Sequence, residues 1–134
     1  MVEIEVLKNL RECIEADKEK ENLGHVDIHK ARELIEEAGA ILLDVRPPAK
    51  VEGENAEEAN VPSAYYVPVT EFVQQFEDGR VPKDKTTPIV LACNLQKFAN
   101  RVMGYLEAMG YKNLYVLDAP VTDLIEVYKA KQQG

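Results

Sequence analysis

Two stretches of this chain carry residues whose type and spacing could do chemistry. The first is Cys93, which ends the apolar run Pro88-Ile89-Val90-Leu91-Ala92 and precedes residues 97–109. The run has the length of a buried strand, and the pattern after it predicts a helix. A thiol at a strand-to-helix turn sits where backbone N–H groups and the positive end of a helix converge. Its thiolate can be stabilised there without a cationic side chain, and a stabilised thiolate is a nucleophile. The alternative is a small buried hydrophobe, because free cysteine is among the most buried residue types. The second stretch is Asp44-Val45-Arg46, which closes another apolar run.

The remaining candidates are weaker. His25 and His29 are four apart, a spacing that could put two metal ligands on one helical face, but no further His, Cys or carboxylate motif completes a site, so no metal is expected and surface or capping roles are. Cys13 lies in an unlike context eighty residues before Cys93, and nothing brings the two together, so it reads as a packing residue. With only two cysteines, a reducing compartment is the simpler setting.

The elements that must hold Cys93 follow from periodicity. Ile4, Leu7, Leu10 and Ile14 recur at helical spacing and predict an amphipathic helix over residues 4–20, with Cys13 beside the stripe. After a polar break at 19–24, residues 25–28 suit a short strand, and Ile28, Ala31, Leu34 and Ile35 predict a helix ending near Gly39. Residues 40–45 form a continuous apolar run, as expected of a strand covered on both faces. Residues 49–60 are acidic and aperiodic and read as an exposed loop with at most one irregular helical turn. A strand at 64–67 and a helix over 69–76 follow, with Thr70 as the expected N-cap. After the Cys93 strand and its helix come Gly110 as a C-cap, a strand at 114–117 and a last helix over 121–131. Short apolar strands alternating with helices imply an α/β fold with a parallel sheet, and ligands in such folds lie at the carboxyl ends of the strands. Cys93 and Asp44-Val45-Arg46 both fall at such ends.

Composition sets the outer bounds. The chain has 134 residues, enough for one domain with a single core. Its formal net charge of −8, without a basic stretch, argues against nucleic acid or an anionic membrane as partner. There is no basic segment followed by a continuous apolar one at the start and no run of spanning length, so a cytoplasmic location is expected.

Four segments, in order, resemble the rhodanese-type sulfurtransferase domain. Leu42-Leu43-Asp44-Val45-Arg46 is similar to that family's LxDVR strand end, and Ala59-Asn60-Val61-Pro62-Ser63-Ala64, with Pro68 after it, resembles a degenerate GHIPGA followed by a proline. Ile89-Val90-Leu91-Ala92-Cys93 resembles the strand that ends in the catalytic cysteine, and Gly110-Tyr111 keeps the family's spacing from that cysteine to a GY or GF pair. The match runs over about residues 25–132. It implies a single rhodanese-like domain at 25–134, with a central parallel sheet of about five strands between helices. Residues 1–24 are then an extra helix, added for packing or dimerisation.

The departures are as informative. Family loops commonly read C-x-x-G-x-R-S; this one reads Cys93-Asn94-Leu95-Gln96-Lys97-Phe98-Ala99, so Gln96 stands at the glycine, Phe98 at the arginine and Ala99 at the serine. Asn60 replaces a histidine, Ala119-Pro120 replaces a glycine pair, and the loop after Arg46 is longer than usual. A C-x5-R phosphatase reading fails, because Ala99 and Asn100 stand where the phosphoryl-clamping arginine belongs and Arg101 falls too far along.

The resemblance implies sulfur transfer through a Cys93 persulfide to a thiol or cyanide acceptor, with no cofactor and with the backbone amides of Asn94, Leu95, Gln96, Lys97, Phe98 and Ala99 holding the negative charge. Lys97 is the one cation in the loop, either steering an anionic donor or simply solvated. Arg46 either contacts the donor or pairs structurally with Asp44. Leu95 and Phe98 make the expected rim apolar, which suits a polysulfide or a partner protein's persulfide better than thiosulfate. The rival class is a non-catalytic rhodanese-like interaction domain, which the altered loop residues favour; a reductase using Cys13 ranks below both.

Overall fold

The computed structural model describes residues 2–133. Its element order is α1 (Val2–Asp17), β1 (His25–Val26), α2 (Ile28–Glu37), β2 (Ile41–Asp44), β3 (Ala64–Tyr66), α3 (Phe72–Glu77), β4 (Ile89–Ala92), α4 (Lys97–Ala108), β5 (Leu114–Leu117) and α5 (Val121–Gln133). The five strands form one parallel sheet in the order β1-β5-β4-β2-β3. The expected α/β architecture, with five parallel strands, helices on both faces and an added N-terminal helix, is the one found.

The three central strands, β2, β4 and β5, feed two cores, because successive side chains of a strand point to opposite faces. In β4, Val90 and Ala92 join Leu42, Leu117, Leu124 and Tyr128 on the α2 and α5 side. Ile89, Leu91 and then Cys93 join Leu43, Val102, Met103 and Leu106 on the α4 side. The two-residue period therefore aims Cys93 at α4. Parallel pairing of Leu43 with Leu91 and of Asp44 with Ala92 brings the end of β2 beside it.

Three local expectations need correction. The strand at 25–28 stops at Val26, because the Asp27 side chain accepts the Lys30 amide at 2.8 Å and caps α2 instead. Thr70 is not an N-cap: Pro68 opens a 3₁₀ turn over Val69–Glu71 with the Glu71 amide on its carbonyl at 2.9 Å, and α3 starts only at Phe72. The segment 49–60 is not simply exposed. Ala56 and Ala59 are buried, since the Ala56 amide donates to Asp44 Oδ2 at 3.0 Å and draws the loop onto the sheet.

The apolar stripe of α1 faces solvent, with Ile4 64% and Ile14 59% exposed, and the helix packs on α4 through its more polar side. The reason lies in the last turn of α4, whose carbonyls have no partner within that helix. Asn9 Nδ2 donates to the Ala108 carbonyl at 3.0 Å, the Cys13 thiol reaches the Glu107 carbonyl at 3.9 Å, and Glu12 pairs with Lys112 at 2.6 Å. Burial pushes the Cys13 thiol above its usual value, and the Glu107 charge adds to the effect, which disfavours its thiolate.

This arrangement predicts a contrast measurable by urea unfolding. Leu106→Ala, in the core beneath α4, costs about 2–5 kcal/mol, whereas Leu7→Lys, on the outer side of α1, changes stability by no more than about 0.5 kcal/mol. Comparable losses would mean that the apolar stripe packs inward.

Candidate active site

Cys93 stands between the end of β4 and the start of α4, is 1% exposed, and is anchored by its carbonyl, which accepts the Val121 amide at 3.0 Å. Its Sγ accepts the Ala99 N–H at 3.4 Å. Ala99 is the third residue of α4, and the amide at that position ordinarily goes to the side chain of the N-cap. The N-cap here, Gln96, makes no side-chain cap hydrogen bond. The Cys93 sulfur takes that place from outside the helix, at the positive end of its dipole. Of the expected cradle of amides over 94–99, Ala99 is the one bonded to sulfur among the described residues.

The loop keeps a glycine-type backbone without a glycine. Gln96 has φ 62° and ψ −9°, the left-handed region, at the position where the family pattern carries glycine. Ser63 does the same at the last glycine position of the GHIPGA-like segment, with φ 58°. Both turns hold this geometry with residues for which it costs energy. Asn94 donates from Nδ2 to the Lys50 carbonyl at 3.3 Å, so this loop is also tied to the 3₁₀ turn Pro48–Lys50.

The side chains around the mouth divide by role. Arg46, Lys50, Asn94, Leu95, Lys97 and Phe98 line a depression of about 150 Å³. Leu95 is 80% exposed, while Phe98 is half-buried against the Cys93 side of the core. Lys97 Nζ lies 5.1 Å above the centre of the Phe98 ring, a cation–π contact. Lys50 was not singled out from the sequence, because it is remote from Cys93 in the chain and carries no motif.

Arg46 is spoken for. It is 1% exposed, its Nε donates to Asp44 Oδ1 at 3.0 Å and its Nη2 to Asp44 Oδ2 at 2.7 Å. The Glu54 carbonyl also accepts from Nη2 at 3.4 Å, and Tyr66 Oη donates to the Arg46 carbonyl at 2.9 Å. Of the two roles considered, the structural pair is the one formed. The histidines do not converge: His25 is on β1, His29 is on α2 beside Glu33, and no cluster able to hold a metal occurs among the described residues.

Two predictions follow from this geometry. Gln96→Gly relieves the left-handed strain and raises stability by about 0.5–1 kcal/mol in thermal or urea unfolding; a loss of stability would show that the Gln96 side chain holds the turn. Asp44→Ala leaves the Arg46 guanidinium buried without its counterion and costs about 3–5 kcal/mol, with the double variant Asp44→Ala/Arg46→Met less damaged than the single one.

Comparison with known proteins agrees with these features. Residues 27–123 match the model of the rhodanese-like domain family. No curated protein sequence matches the chain. Among solved structures, a rhodanese-related protein from Thermoplasma volcanium is similar, with 16% identity and a TM-score of 0.56 over 77% of this chain and 91% of that one. The human single-domain sulfurtransferase has 18% identity and a TM-score of 0.58 over 77% of this chain and 96% of its own. The Saccharomyces cerevisiae single-domain sulfurtransferase has 16% identity and a TM-score of 0.57 over 78% and 90%. At such identities the structures speak to fold, and together with the family match over the segment that carries the strand-end cysteine they leave one assignment: the chain belongs to the rhodanese-like domain family.

Proposed function

We propose that the protein is a sulfurtransferase in which Cys93 carries the sulfur. The Cys93 thiolate attacks the terminal sulfur of a donor R–S–S⁻, the donor's S–S bond breaks, and R–S⁻ leaves. Cys93 is then a persulfide. An acceptor thiolate or cyanide attacks its outer sulfur and returns the Cys93 thiolate, so no net oxidation occurs. The observation that carries the reading is the Ala99 N–H on Sγ at the start of α4, a contact that favours negative charge on sulfur. Residues 1–24 are taken as an extension outside the domain, and the setting as cytoplasmic, where the thiol stays reduced. No helix among the described residues is long and apolar enough to cross a membrane. The unpartnered face of α1 is where a homodimer would form.

The proposed donor is a polysulfide or a protein persulfide. Thiosulfate carries its charge on oxygens that suit a bidentate guanidinium, and Phe98 stands where that arginine is usual, while Arg46 is committed to Asp44. A donor reaches the sulfur by displacing Phe98, which packs against the Cys93 side of the core, since Cys93 is covered. That same burial favours the second reading, a non-catalytic interaction domain whose cysteine packs the core.

Intact-mass spectrometry separates the two. After incubation with polysulfide or a persulfide donor, the wild-type chain gains the mass of one or more sulfurs, dithiothreitol removes it, and Cys93→Ser gains none; thiosulfate loads at least about tenfold more slowly, the scale of one lost charge-assisted hydrogen bond. Absence of an adduct from every donor would establish the interaction domain, and equal loading by thiosulfate would overturn the donor preference.

A further inference from the structure

Asn100 follows the residue whose amide reaches Cys93, and its carboxamide is held from two sides. Nδ2 is 3.0 Å from the Gln96 carbonyl oxygen and 3.1 Å from His25 Nε2. A carbonyl oxygen only accepts, so this end of the carboxamide is the NH2 group, with a second proton free for His25. On the other side of the imidazole, Nδ1 is 3.0 Å from the Asn22 carbonyl oxygen, again an acceptor only. Nδ1 therefore carries the proton, and Nε2 keeps the lone pair that Asn100 requires. Two carbonyls thus dictate both the amide orientation and the imidazole tautomer. Only the neutral ring fits, because a proton on Nε2 would point at the Asn100 N–H.

The relay ends on the strained residue of the loop. The Gln96 carbonyl accepts the Asn100 backbone N–H at 2.8 Å as well as its side chain, and Gln96 is the non-glycine residue at φ 62°. We propose that His25 and Asn100 position Cys93: by gripping the Gln96 carbonyl they keep the left-handed turn closed, and the closed turn aims the Ala99 amide at the sulfur. Neither residue touches Sγ, so both act through the loop. The inference rests on the reading of Cys93 as the reactive sulfur and extends it to residues outside the Cys93 loop. The titratable groups lining the cleft around His25 are Lys20 and Glu21 from the preceding segment, Asp27 and Lys30 around the start of α2, and Tyr115 of β5.

The test compares wild type, Asn100→Ala, Gln96→Gly and the double variant, all in a Cys13→Ser background so that one thiol remains. Long-range proton–nitrogen NMR at about pH 8, above the imidazole range, reads the His25 tautomer. The pH profile of Cys93 alkylation by iodoacetamide, followed by intact mass, reads the sulfur. Wild type shows the Nδ1–H tautomer with Nε2 shifted by the hydrogen bond it accepts; Asn100→Ala keeps the tautomer, held by the Asn22 carbonyl, and loses that shift. The alkylation profile of Asn100→Ala moves to higher pH, with the rate at neutrality down about threefold, the factor of one solvent-accessible hydrogen bond. In the Gln96→Gly background the same substitution leaves the profile in place, because glycine adopts the turn without a clamp. Should Asn100→Ala not fold, Asn100→Ser, which keeps a donor for the Gln96 carbonyl but none for the imidazole, is expected to lose the Nε2 shift and to move the profile to higher pH with a rate loss of less than about threefold, the share that His25 contributes. An Nε2–H tautomer in wild type, an unmoved profile in Asn100→Ala, or equal shifts in both backgrounds would overturn the proposal. None of these measurements involves sulfur transfer, so a Cys93 that takes sulfur from no donor sinks the proposed function and leaves the relay to its own data.

Discussion

The carboxylate of Asp44 is the constraint on which the functional end of the sheet depends. It is fully buried at the end of β2, where a lone charge would be costly. It is satisfied from several directions: by the backbone and guanidinium of Arg46 and by the amide of Ala56. Each partner brings a segment with it. Ala56 draws the acidic 49–60 loop onto the core, and the Arg46 carbonyl receives Tyr66 from the end of β3. The next carbonyl in the network, that of Val45, accepts the Val69 amide and so starts the turn that leads to α3. A buried pair of this kind contributes little net stability over a well-packed apolar pair, but removing one partner is expensive. Its value here is organisational, since it fixes where two connections, the 49–60 loop and the one from β3 to α3, meet the end of β2.

The Cys93 loop shows which parts of a motif are chemistry and which are geometry. Gln96 and Ser63 replace residues that the family pattern gives as glycine, yet both backbones stay left-handed. The path of the loop is therefore over-determined by its surroundings, namely the cap on α4, the Asn94 bond to Lys50 and the side-chain grip on the Gln96 carbonyl. The arginine position has gone the other way: Phe98 contributes an aromatic face that lies under Lys97 and against the core. Where the family pattern offers a guanidinium fork, the depression is lined by Leu95 and Phe98 with two exposed lysines, Lys50 and Lys97.

Much of this was legible in the sequence, and the boundary is physical. Strands and helices were readable because burial repeats with the backbone's own period, as in the run ending at Cys93 and in the stripe Ala31, Leu34, Ile35. Errors arose where a non-local partner decided the outcome. The stripe of α1 is a correct helical signal, but the face that packs is the one whose Asn9 and Cys13 meet the last carbonyls of α4, nearly a hundred residues away in the chain. Thr70 offered a cap that Pro68 made unnecessary, and Ala56 looked exposed because its acceptor lies on another strand.

What the sequence alone determined is the order and type of the elements, the placing of Cys93 and Asp44-Val45-Arg46 at strand ends, and the loss of the loop's arginine. These are properties of neighbouring residues, and a chain expresses them locally. Only the tertiary structure decided that Arg46 is consumed by Asp44, that Ala99 supplies the amide to sulfur, and that His25 meets Asn100. Those contacts depend on angles and distances set by closure of the parallel sheet and the helices against it, and no local pattern of residues encodes that closure.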